Sequence, residues 1–291
     1  MLSQTLQYLF SGLTNGAIYA LSALGFSLIY NASGVINFAQ GEFIMLGGVC
    51  AVMLTSAGVP LPLAILLAVL VVSLVGLLLE KLAIEPAGDA DVVSLIIITI
   101  GASIFLQGVA QVLFGKGQRA LPPFTGDAPI MIGGASLLPQ SLWMIGTGAV
   151  IVLLLAWFFG RTRLGKAVLA TAHNRLAARL VGINTRHVLA LSFVLSAALG
   201  AIAGVVSAPI TLTSYDVGIM VGLKGFVAAT LGGLGSGMGA VVGGLILGLM
   251  EALAAGYISS AYKDAVPFVL IILILFFMPR GLFGARITER V

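Results

Sequence analysis

Apolar residues fall into nine runs: 4–30, 36–57, 60–80, 92–114, 141–160, 187–212, 217–233, 239–257 and 264–279. The longer runs have the ~20 residues a helix needs to cross ~30 Å of hydrocarbon, so the pattern predicts membrane-spanning helices. The cleanest run is 92–114, VVSLIIITIGASIFLQGVAQVLF. The run 217–233 holds Lys224 and ends in glycines, which reads as a short or broken helix.

The polar stretches set the orientation. Residues 161–187 carry Arg161, Arg163, Lys166, Arg175, Arg179 and Arg186 and no Asp or Glu. A basic loop between two spans belongs on the cytoplasmic side. Alternation then places 115–140 outside, and 81–91, with Lys81, Glu85, Asp89 and Asp91, inside. The tail, with Arg280, Arg286 and Arg290 against Glu289, also goes inside. These assignments predict nine crossings and an outward N-terminus, with eight and ten as the neighbouring counts.

Composition agrees. Of 291 residues, 60% are hydrophobic and 8% charged, and the mean hydropathy is +1.17. Soluble domains carry about 25% charged residues, so lipid must solvate much of this surface. The first cation is Lys81, so no basic signal-peptide start is present and the first span is expected to be retained. The pI near 9.4 reflects cations at span ends rather than a nucleic-acid surface. Cys50 lies in an apolar run and reads as a small packing residue.

Two interruptions, 31–42 (NASGVINFAQGE) and 213–240, occupy corresponding places in the two halves. Paired broken segments mark the pathways of transporters built from repeats. Glu42, Asp216, Lys224 and Glu251 lie in or beside apolar runs. An ionised side chain at mid-bilayer costs about 2.5–3.5 kcal/mol on insertion scales, so each must face protein, water or an interface. Glu42 and Lys224 are candidates to line a polar passage; a helix-start carboxylate and a snorkelling lysine are the alternatives. Glu251 reads as a structural hydrogen-bonding group and Asp216 as an outer loop residue. Asn15, Asn37 and Gln40 are uncharged candidates near the same break, for solute or for interrupted backbone. Pro209 and Pro267 are expected to kink or end helices.

Several motifs carry no chemistry. Gly160-x4-Gly165-Lys166 imitates a phosphate loop, but Ala167 replaces the Mg²⁺-binding hydroxyl and a membrane span replaces the strand. Gly235-x-Gly237-x-x-Ala240 lacks a βαβ context. His173 and His187 have no ligand cluster, so no metal is expected. Asn31-Ala32-Ser33 is a chance glycosylation sequon. Glycines instead recur at four-residue spacing: Gly12 and Gly16; Gly200 and Gly204; Gly235, Gly239 and Gly243; Gly244 and Gly248. On a helix that spacing opens a groove for close packing, within one subunit or between subunits. Residues 165–184 (GKAVLATAHNRLAARLVGIN) read as one short amphipathic helix. Val168, Ala172, Leu176 and Leu180 form its stripe, Arg175 and Arg179 pair on another face, and Gly182 stops it. It suits either anionic lipid or a partner's groove.

The stretches 11–30 (SGLTNGAIYALSALGFSLIY), 36–48 (INFAQGEFIMLGG), 225–253 and 262–284, with the central loop, resemble the LivH-type permease subunits of ABC importers for branched-chain amino acids. The likeness spans nearly the whole chain. It implies an all-α, polytopic, type II-like importer permease in the bacterial inner membrane, forming a single transmembrane domain over 1–291. It further implies a second related permease subunit, two cytoplasmic ATPases that hold ATP and Mg²⁺, and a periplasmic solute-binding protein. No cofactor or catalytic residue is expected on this chain. By the same resemblance, Lys166, Ala170, Asn174, Arg175, Ala178, Gly182 and Ile183 would face the ATPase. The chain departs from the family at Leu169, often arginine there, and at Gly237-Met238, usually Ile-Pro. The strict Glu-Ala-Ala coupling motif is also missing at Ala170-Thr171-Ala172. Urea or short-amide import is the nearest alternative. An ion-coupled transporter and a passive channel are the other classes.

Overall fold

A computed structural model describes residues 2–88 and 90–284. Asp89, Arg286, Glu289 and Arg290, used above to orient the chain, lie outside the described residues. The first helix, α1 (Leu2–Ser33), is followed by α2 (Gln40–Ser56) and α3 (Leu61–Leu79), which runs on as a π-helical turn, Glu80–Ile84. Then come α4 (Val92–Phe114), α5 (Pro139–Arg161), α6 (Arg163–His173), α7 (Arg175–Leu180) and α8 (Thr185–Thr211). The last helices are α9 (Val217–Gly232), α10 (Gly237–Tyr257) and α11 (Val266–Phe277), the last preceded by a 3₁₀ turn, Ser260–Ala265. Among the described residues the fold is all-α apart from one hairpin, Ile130–Ile132 with Ala135–Leu137, in the loop before α5.

Among the described residues seven helical stretches are long and apolar enough to cross a membrane, while α2 and α9 have only 17 and 16 residues. These two are nevertheless the interior. α1, α2, α8 and α9 bury most of their length, α10 buries the glycine-rich face that packs on α1 and α9, and α3, α4, α5 and α11 lie outside them. α4 fully buries only Thr99 and Ala110. Leu95, Ile98 and Leu106 pack partly against the core, while Val93, Ile97, Ile104, Phe105 and Val112 stand outward, as lipid solvation requires.

Glycine sets the close approaches. A Cβ on Gly12 would stand 2.8 Å from the Leu249 Cα, and one on Gly16 3.0 Å from the Leu245 Cα. Gly244 and Gly248 of α10 press in return on Ala20 and Gly16. Gly200 and Gly204 of α8 seat on Phe43 and Ile44 of α2. These pairs therefore pack within one chain. Gly239 and Gly243 press α10 on α9. Gly235 corrects the helical reading of its triplet: it precedes α10, in a turn with φ +86°. Pro209 sits in the last turn of α8 and Pro267 opens α11.

Loops expected on the same side meet. At one end the Asn31 amide donates to the Gly235 carbonyl (2.8 Å), Leu282 N–H to Leu231 O (2.9 Å), and Arg186 approaches Glu85 (3.9 Å). At the other, Tyr8 packs edge-on against Tyr257 and Arg119 bridges to Thr213.

Candidate functional site

Three polar regions stand out. The first is the basic platform. Thr162 Oγ1 accepts from Gly165 N–H (2.9 Å) and starts α6. The expected single helix over 165–184 is in fact two, because Asn174 leaves helical geometry (φ −157°, ψ 103°). Its side chain accepts from Ala177 N–H (2.9 Å) and caps α7, a conformation Asn reaches readily because its amide replaces the lost backbone bond. α7 ends as predicted at Gly182 (φ +86°): Gly182 N–H donates to Arg179 O and Ile183 N–H to Ala178 O, the paired bonds of a left-handed helix stop.

The break splits the expected stripe. Val168 is buried, whereas Leu176 and Leu180 are 68% and 80% exposed. Lys166, Asn174, Arg175 and Gly182 lie on the exposed side, and Ala170 and Ile183 are half-buried. Ala178 is buried and faces the bundle. Arg179 turns to donate from Nε to Thr185 Oγ1 (3.0 Å), tying α7 to α8. On the neighbouring loop, Lys81 hydrogen-bonds Glu85 and holds its carboxyl below the usual range. Asp91 is held low in the same sense by Ser94 at the start of α4.

The second region surrounds Glu42, the third residue of α2. It is 1% exposed. Ser103 Oγ donates to its Oε1 (2.9 Å), while Oε2 has no hydrogen-bond partner. Ser103 lies eleven residues into α4 (103 − 92), or ~17 Å from its end, so the site is near mid-depth. Here the starts of α2 and α9 cross, with Gly41 against Gly218 and Gly222, and Glu42 Oε2 lies 2.9 Å from where a Gly218 Cβ would be. The two sequence breaks thus meet in space. A carboxylate in the first turn of a helix is favoured by the helix dipole, which explains how it survives burial. Nearby, Phe38 N–H donates to Thr99 Oγ1 (3.2 Å), and Asn37 is fully buried with its Nδ2 unpartnered. Gln40 turns to α8 and is held by the Ser196 hydroxyl and carbonyl. Asn15 does not join them: Gln40 packs on Gly25, ten residues (25 − 15) and ~15 Å farther along α1.

The third region surrounds Lys224, which does not meet Glu42. Lys224 emerges on the other side of α9 and donates to Glu251 Oε1 (2.7 Å), Asp264 Oδ1 (2.7 Å) and Tyr19 Oη (3.3 Å). Tyr19 donates in turn to Glu251 Oε2 (2.8 Å). All three ammonium protons and both Glu251 oxygens are used. Glu251 is structural as expected, and Asp216 is an exposed loop residue bonded to Ser214. Sequence reasoning missed Ser103, Tyr19 and Asp264. Asp264 lies 40 residues from Lys224 beside another lysine, and nothing local marks it.

Comparison with known proteins supplies the context. The family model described as "Branched-chain amino acid transport system / permease component" matches residues 8–275. The high-affinity branched-chain amino acid transport system permease protein LivH of Escherichia coli K12 is 36% identical, over 98% of this chain and 97% of that protein. BraD of Pseudomonas aeruginosa, a permease protein of the same description, is 36% identical over 98% of each. The ribose import permease protein RbsC of E. coli K12 is 27% identical over 92% of this chain and 84% of its own. Among solved structures, PsaBC from Streptococcus pneumoniae in complex with Fab superposes with a TM-score of 0.53 at 15% identity, covering 97% of this chain and 98% of that one. This is a likeness of fold alone.

Proposed function

Because the chain belongs to the branched-chain amino acid transport permease family, a family of multi-pass inner-membrane permease components, we propose that it carries branched-chain amino acids inward through an ATP-driven importer. The observation that carries this reading is the platform 163–183: a rigid, capped, basic pair of helices with leucines standing out from it. Exposed leucines beside cations fit a protein groove better than open water.

In this reading one copy pairs with a second permease subunit, and two cytoplasmic ATPases bind ATP and Mg²⁺ and grip α6 and α7. A periplasmic binding protein delivers the solute. No residue of this chain does chemistry on ATP. α6 packs on α1, α5 and α8, so motion imposed on the platform passes into the spans. We assign Glu42, with Asn37 beside it, to the solute's route, since Oε2 and Nδ2 are buried and unpaired. Gln40 and Lys224 hold structure instead. The zwitterion's ammonium would find its counter-charge at Glu42.

Reconstitution with candidate ATPases and binding protein tests the whole assignment. Leucine should drive uptake and stimulate ATP hydrolysis, while glutamate, urea and propionamide should not. Accumulation by the purified chain alone would overturn it. Gly182→Val forces a branched residue into left-handed geometry. It should leave the protein folded but separate hydrolysis from uptake, and intact uptake would remove the platform's role.

A further inference from the structure

Between α1, α5 and α10 runs an apolar groove that opens sideways. Its inner part is a cavity of about 220 Å³ walled by Leu28, Leu155, Phe159 and Leu169. A second cavity of about 360 Å³ continues it past Leu21 to Ala17, and Val152 and Val241 line both. Leu153 and Met238 on its rim are 69% and 65% exposed. From Asn31 to Ala17 is fourteen residues of α1 (31 − 17), or ~21 Å. One leaflet contributes about half of the ~30 Å hydrocarbon core, so the groove accepts one full acyl chain with its head end at Asn31.

That end carries matching chemistry. Ser27 lines the inner cavity, is 2% exposed, and its hydroxyl has no partner. Leaving a buried hydroxyl without a partner is costly, and an ester carbonyl lodged there would accept its hydrogen bond. The exposed cations Arg161 and Arg163 stand two and four residues after Phe159, and Lys166 stands one turn before Leu169 on α6. No acid offsets them anywhere in 161–187. An apolar slot, an isolated hydroxyl and exposed cations within a turn of two wall residues together describe a phospholipid with an anionic head.

We propose that this groove binds one anionic phospholipid of the cytoplasmic leaflet, its acyl chain between α1, α5 and α10 and its phosphate among Arg161, Arg163 and Lys166. Leu169 of α6 forms part of the wall, so the lipid braces the platform from within the membrane.

The test uses the chain assembled with its partner subunits in phosphatidylcholine nanodiscs. These carry either photoactivatable phosphatidylglycerol or the matching phosphatidylcholine probe. Phosphatidylglycerol should label the peptides of α1, α5 and α10 that line the groove several-fold more than phosphatidylcholine. Ala156→Phe, which plugs the slot, should abolish that excess. Should the plug unfold the protein, the surface pair Arg161→Gln/Arg163→Gln carries the test, reducing phosphatidylglycerol labelling to the phosphatidylcholine level. Equal labelling by both lipids, or an excess that survives these variants, overturns the proposal. So does labelling seen only when the second permease is absent, which would mean that a subunit fills the groove. None of these readouts depends on which solute is transported.

Discussion

Glu42 and Lys224 are both ionisable, both buried near α9 and both set in apolar runs, yet their surroundings differ in kind. Lys224 meets two carboxylates and a phenol, so every donor is spent. Glu42 has one hydroxyl and a bare oxygen. A saturated buried network fixes geometry, since disturbing any member strands another in low dielectric. A half-satisfied group at a crossing of two helix starts stays available to something that arrives. The first is a fastener joining α1, α9, α10 and the 3₁₀ turn; the second suits a transit point.

Breaking the fastener should have the largest effect. Lys224→Met leaves Glu251 with Tyr19 alone and should cost about 3–5 kcal/mol, read as a collapse of the thermal midpoint in detergent. Adding Glu251→Met should recover much of that loss. A single variant as stable as the parent would show that the network holds nothing. Glu42→Gln should separate the two sites in the opposite way. Stability should change by less than about 1 kcal/mol, since the amide still accepts from Ser103. Leucine uptake should fall about tenfold or more, equivalent to about 1.4 kcal/mol. Normal uptake would return Glu42 to the role of a helix-start carboxylate. Ser103→Ala is intermediate: it strips the remaining bond from Glu42 and should cost about 1–3 kcal/mol, visible in the same thermal assay.

The smallest effect lies outside the membrane, where charge meets water. The Glu85 carboxyl is depressed in the folded chain by Lys81. Its contribution is therefore present above the ordinary carboxylate pKa and lost as pH falls through the lower folded value. Amides of residues 80–88 should exchange faster near the bottom of that window. Lys81→Met should remove the Glu85 part of the pH dependence and leave the Asp91–Ser94 part, which shares its sign. An unchanged profile would mean that this exposed pair contributes nothing, as exposed pairs often do.

The helices, the single stop at Gly182 and the family resemblance were legible in the chain, because each rests on local properties: run length, backbone freedom, cation placement. The same reasoning took 165–184 for one helix because Asn174 is neutral in a pattern and decisive only as a cap. It offered Glu42 and Lys224 alike as lining for a polar passage because sign is visible in sequence and direction is not. Gly218, Gly222 and Lys224 lie on one short helix, but two residues turn the helix by about 200°, so the glycines face α2 and the lysine faces α10. Likewise Asp264 reaches Lys224 only because α10 and the turn after it fold back on α9. Run length and charge decided by themselves that this chain lives in lipid. Whether a buried charge such as Lys224 is saturated or one such as Glu42 keeps an open oxygen depended on contacts between residues far apart in the chain, and only tertiary packing sets those.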